Sequence, residues 1–312
     1  MTHTQLEYIV ALDKHRHFGK AAKSCHVSQP TLSMQIHKLE EELGIIIFDR
    51  SKNPLKVTSE GEVIINQAKV ALRELKKIPD LIDEMKSGLK GSLKLAVIPT
   101  LAPYLIPLFA SHFSEAYPEV ELTIEEHTTT DILKLLDEDA IDVACMATPL
   151  KDDSVIERVL FYEPFCLYVS PDNPLYQKEK VQESELELKD LWLLTEGHCF
   201  RNQVLRFCHM RRSVQGLRKG LEFESGNLET LKNMVDQAGG YTLLPQLAVA
   251  TLPEEKRKRT RAFGQVVPTR EVSLVHSRAF LKERLIEALE KTIIETVPKD
   301  LRSYKGTVID ID

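Results

Sequence analysis

The sequence predicts an α/β protein in two parts. A small N-terminal helical domain with a β-wing, helix-turn-helix in kind, is joined by a linker helix to a larger domain of alternating strands and helices. Three observations carry this reading. Within the first sixty residues apolar side chains recur at helical spacing in three short segments, followed by two β-like runs. A heptad-like stripe then runs from Ile64 to Met85. Beyond it, apolar alternation typical of strands is separated by helical patterns.

The 312 residues are enough for two or three domains, and 43% hydrophobic with 28% charged residues is an ordinary soluble composition. A formal net charge of −6 argues against a general polyanion binder, so any nucleic-acid surface must be local. Met1-Thr2-His3-Thr4-Gln5 has neither the basic stretch nor the apolar run of a secretion signal, and no stretch of about 18 apolar residues occurs. A cytoplasmic protein is therefore expected. The five cysteines (Cys25, Cys145, Cys166, Cys199, Cys208) show no CxxC pairing, and in a reducing compartment they stay free unless one is reactive.

Taken in order, Leu6, Ile9 and Val10 mark the first helix; Phe18, Ala21, Ala22 and Cys25 the second; and Leu32, Ile36, Leu39 and Leu43 the third. Ser28 is placed to cap the third, Pro30 fits its first turn, and Gly44 ends it. Its outward face carries Gln29, Thr31, Ser33, Gln35 and Lys38, side chains able to reach base edges and phosphates. Strands are expected at Ile45 to Phe48 and Leu55 to Thr58. The turn Asp49 to Pro54 between them offers Arg50 and Lys52, with Lys56 just beyond, for backbone or minor-groove contacts. Periodicity alone leaves open a small three-helix domain whose polar face is merely solvated. His3, His15, His17, His26 and His37 have no zinc-like spacing and are read as surface residues.

The residues themselves go further. Phe18-x-x-Ala21-Ala22, then Val27-Ser28-Gln29-Pro30-x-Leu32-Ser33-x-Gln35-Ile36-x-x-Leu39-Glu40-x-x-Leu43-Gly44 and Phe48-x-Arg50 closely resemble the N-terminal signature of LysR-type regulators. The resemblance implies a recognition helix starting near Gln29, with Ser28, Gln29, Pro30, Thr31 and Ser33 at the DNA and Arg50 as the wing arginine.

Residues 59–88 form the expected linker. Ile64, Ala68, Ala71, Leu75, Ile78, Ile82 and Met85 advance by alternating fours and threes, a stripe suited to a second copy, or to packing on the chain's own domain. The dimer is favoured because a paired DNA reader needs two half-sites about one turn apart. Pro79 is expected to kink or break this helix, and Lys86-Ser87-Gly88 with Gly91 reads as a hinge.

In residues 89–312, strands are expected at Leu93 to Val97, Val120 to Glu125, Ile141 to Cys145, Phe165 to Val169 and Tyr241 to Leu244. Helices are expected across Pro103 to Phe113, Ile132 to Leu136 and Leu228 to Ala238. Such alternation implies parallel sheets, with ligands bound beyond strand carboxyl ends. The region resembles the LysR-type effector domain, two lobes similar to periplasmic binding proteins. That likeness puts lobe I at 89–162 and 268–312 and lobe II at 163–267.

Thr195-Glu196-Gly197-His198 reads as a loop feeding a helix in which Phe200, Val204, Phe207 and Cys208 share an apolar face. Cys199 at the helix start, with His198 adjacent and Arg201 close by, is where positive partial charge favours a thiolate; Cys208, if buried, is sluggish. Nine helical residues would separate their Cα atoms by roughly 13 Å, against the about 7 Å a disulfide tolerates. Spacing alone favours two inert packing residues. Cys25, Cys145 and Cys166 are read as buried and unreactive.

Glu196-Gly197-His198-Cys199-Phe200-Arg201-x-Gln203-Val204-Leu205-x-x-Cys208 closely resembles the peroxide-sensing segment of the OxyR family within the LysR type. The resemblance implies that Cys199 is the peroxidatic thiol and Cys208 its resolving partner. It also implies that Thr100, Thr129 and His198 help bind peroxide and that Arg270 favours the thiolate. For the threonines a helix cap, and for Arg270 a surface salt bridge, are the alternatives. The implied protein is an oxidative-stress transcription activator without cofactor or metal. It would be a dimer of dimers on promoter DNA, acting with RNA polymerase and reset by a thiol reductant such as glutaredoxin. One rival is a LysR-type regulator binding a small organic effector between its lobes. Another is an enzyme using Cys199 with His198, although adjacent residues rarely orient as nucleophile and base.

Overall fold

A computed structural model describes residues 1–51, 55–85, 89–208, 217–218, 221–222, 225–277, 282–302 and 306–310. The chain divides into two compact units, Met1–Lys86 and Ser87–Asp312.

The first unit opens with α1 (His3–His15), capped reciprocally by Thr2 and Gln5. α2 (Phe18–Ser24) follows, started by the His17 ring, which accepts from Lys20 N–H. α3 (Gln29–Leu43) begins as expected: Ser28 Oγ accepts from Thr31 N–H at 3.3 Å and Pro30 sits in the first turn. It ends at Gly44, whose φ of +69° suits glycine. Ile9, Leu12, Ala21, Leu32, Ile36 and Leu39 close the core between the three helices.

The wing strands are shorter than expected, β1 (Phe48–Asp49) pairing antiparallel with β2 (Lys56–Val57). The cause is the buried Glu40. Its Oε1 accepts the N–H groups of both Ile47 and Phe48, and Ile45 N–H returns to Glu40 O, so Ile45 and Ile47 have no donor left for a ladder ahead of Phe48. Lys52 lies outside the described residues.

α4 (Ser59–Met85) corrects two expectations. It runs through Pro79 without a break, since one lost hydrogen bond is carried by the ladder on either side. Its first half packs on its own domain: Ile65, Ala68 and Leu72 are buried against the first core, with Ile64 and Ala71 alongside. Gly61 lies at this contact, where a Cβ would stand 2.3 Å from Ile47 O. Of the anticipated seam, Leu75 and Ile78 are exposed. The side chains of Ile82 and Met85 and the hinge residues Lys86, Ser87 and Gly88 lie outside the described residues.

The second unit begins with β3 (Gly91–Val97), α5 (Ala102–Ala116), β4 (Val120–Glu126), α6 (Thr129–Asp137) and β5 (Val143–Thr148), with β3 parallel to both β4 and β5. After the long β6 (Val155–Val169) come β7 (Lys180–Val181), α7 (Cys199–Phe207) and a hairpin of β8 (Leu217–Arg218) with β9 (Leu221–Glu222). Next are α8 (Leu228–Ala238), β10 (Tyr241–Pro245), α9 (Gln246–Ala250), α10 (Glu254–Arg257) and β11 (Thr260–Phe263). The chain closes with β12 (Pro268–Ser277), α11 (Glu283–Thr296), α12 (Lys299–Arg302) and β13 (Thr307–Val308).

The strand order β4-β3-β5-β12-β6-β11-β7 makes two lobes that share β6. Up to Pro164, β6 pairs with β12; from Phe165 onward it pairs with β10 and β11. The sheets are therefore mixed rather than parallel. β12 returns from the far lobe without a crossover helix and inserts antiparallel between β5 and β6. β5 also starts later than expected. Asp142 bends ahead of it, donating its N–H to Lys94 O while its carboxylate accepts Lys94 N–H at 2.8 Å.

Candidate functional site

Two sets of residues were anticipated, one in each unit. In the first unit, the side of α3 opposite its buried line of Leu32, Ile36 and Leu39 exposes Gln29, Pro30, His37 and Lys38. Thr31 and Ser33 are half-buried at its margins, and Ser28 serves as cap. Met34, which the sequence did not single out, is 61% exposed near the middle of this face. Apolar side chains are the complement of a thymine methyl in a major groove. Gln35 leans away, its Oε1 accepting from Gln5 Nε2. Arg50 is engaged within the domain: Nη2 donates to Glu40 Oε2 at 2.7 Å, and its guanidinium stands 5.6 Å over the Phe18 ring. It therefore braces the wing against α3.

In the second unit, Gly197 takes a φ of +89°, which lets the chain turn so that α7 starts at Cys199 itself. Cys208 is the residue at which α7 ends, its N–H still returning to Val204 O. Both thiols are free and buried, at opposite ends of one helix. α7 is clamped by its apolar face. Phe200 meets Phe165 edge to face at 4.8 Å, and Phe207 meets Phe263 at 4.8 Å.

Arg270 is fully buried where the lobes join, and an ion pair holds it. Nε donates to Glu163 Oε2 at 2.8 Å and Nη2 approaches the same oxygen at 2.7 Å. Nη1 donates to Thr100 Oγ1 at 3.0 Å and Nη2 to Thr100 O at 3.2 Å. Glu163 Oε1 accepts Leu247 N–H at 2.7 Å, and the guanidinium lies 5.8 Å over the Phe200 ring. The surface salt bridge considered for Arg270 is thus a buried one, and Thr100 is its acceptor. One cation ties β12, β6, the end of β3, α9 and the start of α7 together.

Burial pushes the Cys199 thiol above its ordinary range. The Thr129 hydroxyl, Arg270 and the N–H groups of Phe200 and Cys199 act against burial. The expectation of a resting thiolate is therefore corrected, because desolvation outweighs the positive groups. Nor does His198 supply a charge: its ring is buried against Gly226 and burial lowers its basicity, so it stays neutral. Arg201 turns back to donate to Leu194 O. Burial also pushes Cys208 up to about 12, Cys145 to about 12 and Cys166 to about 11, so all three are unreactive where they stand.

Thr129 is not the cap of α6; Thr128 is, its Oγ1 accepting from Asp131 N–H. Thr129 Oγ1 stands close enough to the Cys199 sulfur to favour a thiolate, yet it is buried without a hydrogen bond of ordinary geometry. Gln203 Oε1 is likewise buried and unpartnered. Unpaired buried polar groups are costly and uncommon, and here one faces a sulfur. Glu163 and Gln203 were not anticipated. Glu163 is legible in hindsight as a lone acid inside Phe161-Tyr162-Glu163-Pro164-Phe165.

The model of the bacterial regulatory helix-turn-helix protein, lysR family, matches residues 3–62, and that of the LysR substrate binding domain matches residues 86–297. A hydrogen peroxide-inducible genes activator of Dickeya chrysanthemi is 40% identical over 80% of each chain. The DNA-binding transcriptional dual regulator OxyR of Escherichia coli K12 is 39% identical over 81% of each. Full-length OxyR from Pseudomonas aeruginosa, solved as a cysteine-to-aspartate variant, superposes with a TM-score of 0.71 at 36% identity, covering 97% of this chain and 100% of that one. A cysteine-to-serine OxyR variant from Corynebacterium glutamicum with hydrogen peroxide bound gives 0.61 at 30% identity, covering 95% and 92%.

Proposed function

Because the chain belongs to the LysR family of bacterial helix-turn-helix regulators, we propose that it is a transcription regulator switched by hydrogen peroxide at Cys199. The observation that carries this reading is the unpartnered Thr129 hydroxyl facing the buried Cys199 thiol at the head of α7.

The chemistry proceeds in two steps. The Cys199 sulfur attacks one peroxide oxygen, the S–O bond forms and the O–O bond breaks. The thiol proton leaves with the departing hydroxide as water, giving a sulfenic acid. The Cys208 thiol then displaces the sulfenic oxygen as a second water, forming a disulfide. Thr129 and Thr100 orient peroxide beside the sulfur, Arg270 and the N–H groups at the head of α7 stabilise sulfur as it loses its proton, and neutral His198 walls the pocket. One peroxide is consumed per cycle, so the event is sensing rather than turnover.

The switch lies in α7. Joining its two ends requires the stretch between them to leave the helix. Exposing Phe200, Val204, Leu205 and Phe207 would cost about 1.5–3 kcal/mol each, whereas a short-loop disulfide supplies about 2–4 kcal/mol. The rearranged segment must therefore re-bury most of these side chains, which makes it a second packed state and not a melted loop.

That second state alters how subunits of a dimer of dimers pack, and with it the spacing of paired α3 helices on promoter DNA and the recruitment of RNA polymerase. α3 reads the major groove through Gln29, Pro30, Thr31, Ser33 and Met34, while the wing lies on the backbone. The exposed Leu75 and Ile78 of α4 face a second copy. The protein works in the cytoplasm, where a thiol reductant such as glutaredoxin resets the disulfide.

The test is to treat the full chain with peroxide and map its disulfides by mass spectrometry, with Thr129→Val alongside. Wild type should yield the Cys199–Cys208 linkage. Loss of a hydrogen bond to charged sulfur, typically about 1.5–3 kcal/mol, should slow oxidation of the near-isosteric variant by roughly ten- to a hundredfold. Equal rates would remove Thr129 from the pocket, and a wild type without the linkage would reject the mechanism.

A further inference from the structure

We propose that the C-terminal segment 306–310 is a strap that holds α7 in its helical form and so sets the thiol–disulfide midpoint of the Cys199–Cys208 pair; this rests on the sensing reading above. Contacts on both of its sides place it there. β13 runs parallel to β12, Thr307 opposite Pro268 and Val308 opposite Thr269, and Ile309 N–H donates to Thr269 O at 2.9 Å. The strap is thereby fixed to the residues immediately before the buried Arg270. On its other side it grips α7: Gln203 Nε2 donates to Ile309 O at 2.8 Å. Asp310 pairs with Arg206 of α7 at 3.4 Å and with Lys151, just beyond β5, at 3.2 Å. The Ile309 side chain packs against the main core.

The logic follows from where the gripped residues lie. Gln203 and Arg206 both fall between the two thiols, in the stretch that must leave its helix for the sulfurs to meet. A segment anchored on β12 and bonded to that stretch is satisfied while α7 is helical and loses its partners when α7 unwinds. Gln203 is fully buried, so its amide is costly to strand; the half-exposed Asp310 pairs add less. The strap therefore stabilises the dithiol form selectively. Ile309, Asp310 and Gln203 act as positioning residues for the redox pair, through the conformation of α7.

The experiment equilibrates the full chain in glutathione buffers and measures the fraction of Cys199–Cys208 disulfide by alkylation and mass spectrometry. In the exchange the two protein thiols give two protons and two electrons to glutathione disulfide, which leaves as two molecules of glutathione. Deleting residues 306–312 should favour the disulfide about tenfold, a midpoint about 30 mV more negative. Asp310→Lys, which sets a third cation beside Lys151 and Arg206 in a chain of full length, should favour it about threefold. The charge reversal also decides the matter if the truncated chain does not fold. Midpoints equal to wild type, or shifted toward the dithiol, overturn the strap. A wild type that forms no Cys199–Cys208 disulfide in any buffer rejects the sensing reading itself, and the strap with it.

Discussion

Cys199→Ser should leave promoter binding intact and abolish its response to peroxide. The substitution keeps size and burial at the head of α7 while removing the sulfur of Cys199, so the fold and the DNA-reading unit are undisturbed. Footprints with and without peroxide should differ for wild type and coincide for the variant. A variant footprint that still shifts with peroxide would move the sensing event to another group. Cys145, Cys166 and Cys208 are poor candidates, because burial holds each thiol well above the ordinary range. A response to a small organic molecule retained by Cys199→Ser would favour the effector-binding alternative.

The second large effect belongs to the ion pair at the lobe junction. Glu163→Leu strands the fully buried Arg270 guanidinium, and breaking such a pair typically costs about 3–5 kcal/mol. For a unit the size of Ser87–Asp312, thermal unfolding should fall by roughly 2–4 °C per kcal/mol, as read by calorimetry. Adding Arg270→Met should recover most of the loss, since a neutral core of similar volume replaces the charges. A single variant as stable as wild type would mean that the pair is not desolvated. The double variant also reports on the thiol. Cys199 is an acid whose pKa is raised by burial and lowered by Arg270, so its alkylation rate should climb with pH to a midpoint above that of an exposed cysteine. Without Arg270 that midpoint should move higher still, and alkylation at neutral pH should slow.

How much of this was legible in the sequence depended on the range of the interactions. The ends of α3 were readable because a cap, a first-turn proline and a terminal glycine act within one turn of themselves; Ser28, Pro30 and Gly44 fulfil those roles. α8 came out with the bounds its periodicity suggested, Leu228 to Ala238. The wing strands were overdrawn because a residue distant in sequence, Glu40, takes the N–H groups of Ile47 and Phe48. The mixed sheet was hidden for a similar reason. β12 fits between β5 and β6 only after the chain has travelled through the other lobe, and local alternation carries no record of that order.

At the thiol site the pattern repeats. The apolar face of α7 was visible as spacing, and Phe200, Val204 and Phe207 are buried as expected. The charge balance was not visible. A helix N-terminus beside His198 and Arg201 suggested a thiolate, but the histidine is desolvated, Arg201 is spent on Leu194, and the cation that matters, Arg270, comes from β12. Desolvation depends on everything packed around a group, and the neighbours of Cys199 include residues from α6 and β12. The first half of α4 shows the same limit: a stripe with heptad spacing is drawn alike whether its partner is a second copy or α1, and the burial of Ala68 decides for the chain's own domain.

The most direct measurement is amide hydrogen exchange over residues 199–208 in the reduced chain and in the chain whose Cys199–Cys208 disulfide has been verified by mass spectrometry. The expected result is slow exchange of the Gln203 to Phe207 amides in the reduced form, where each is bonded within α7, and exchange faster by at least tenfold in the oxidised form, about 1.4 kcal/mol of lost protection. Equal protection of those amides in both forms would contradict it, because the two sulfurs would then have joined while the helix between them stayed intact.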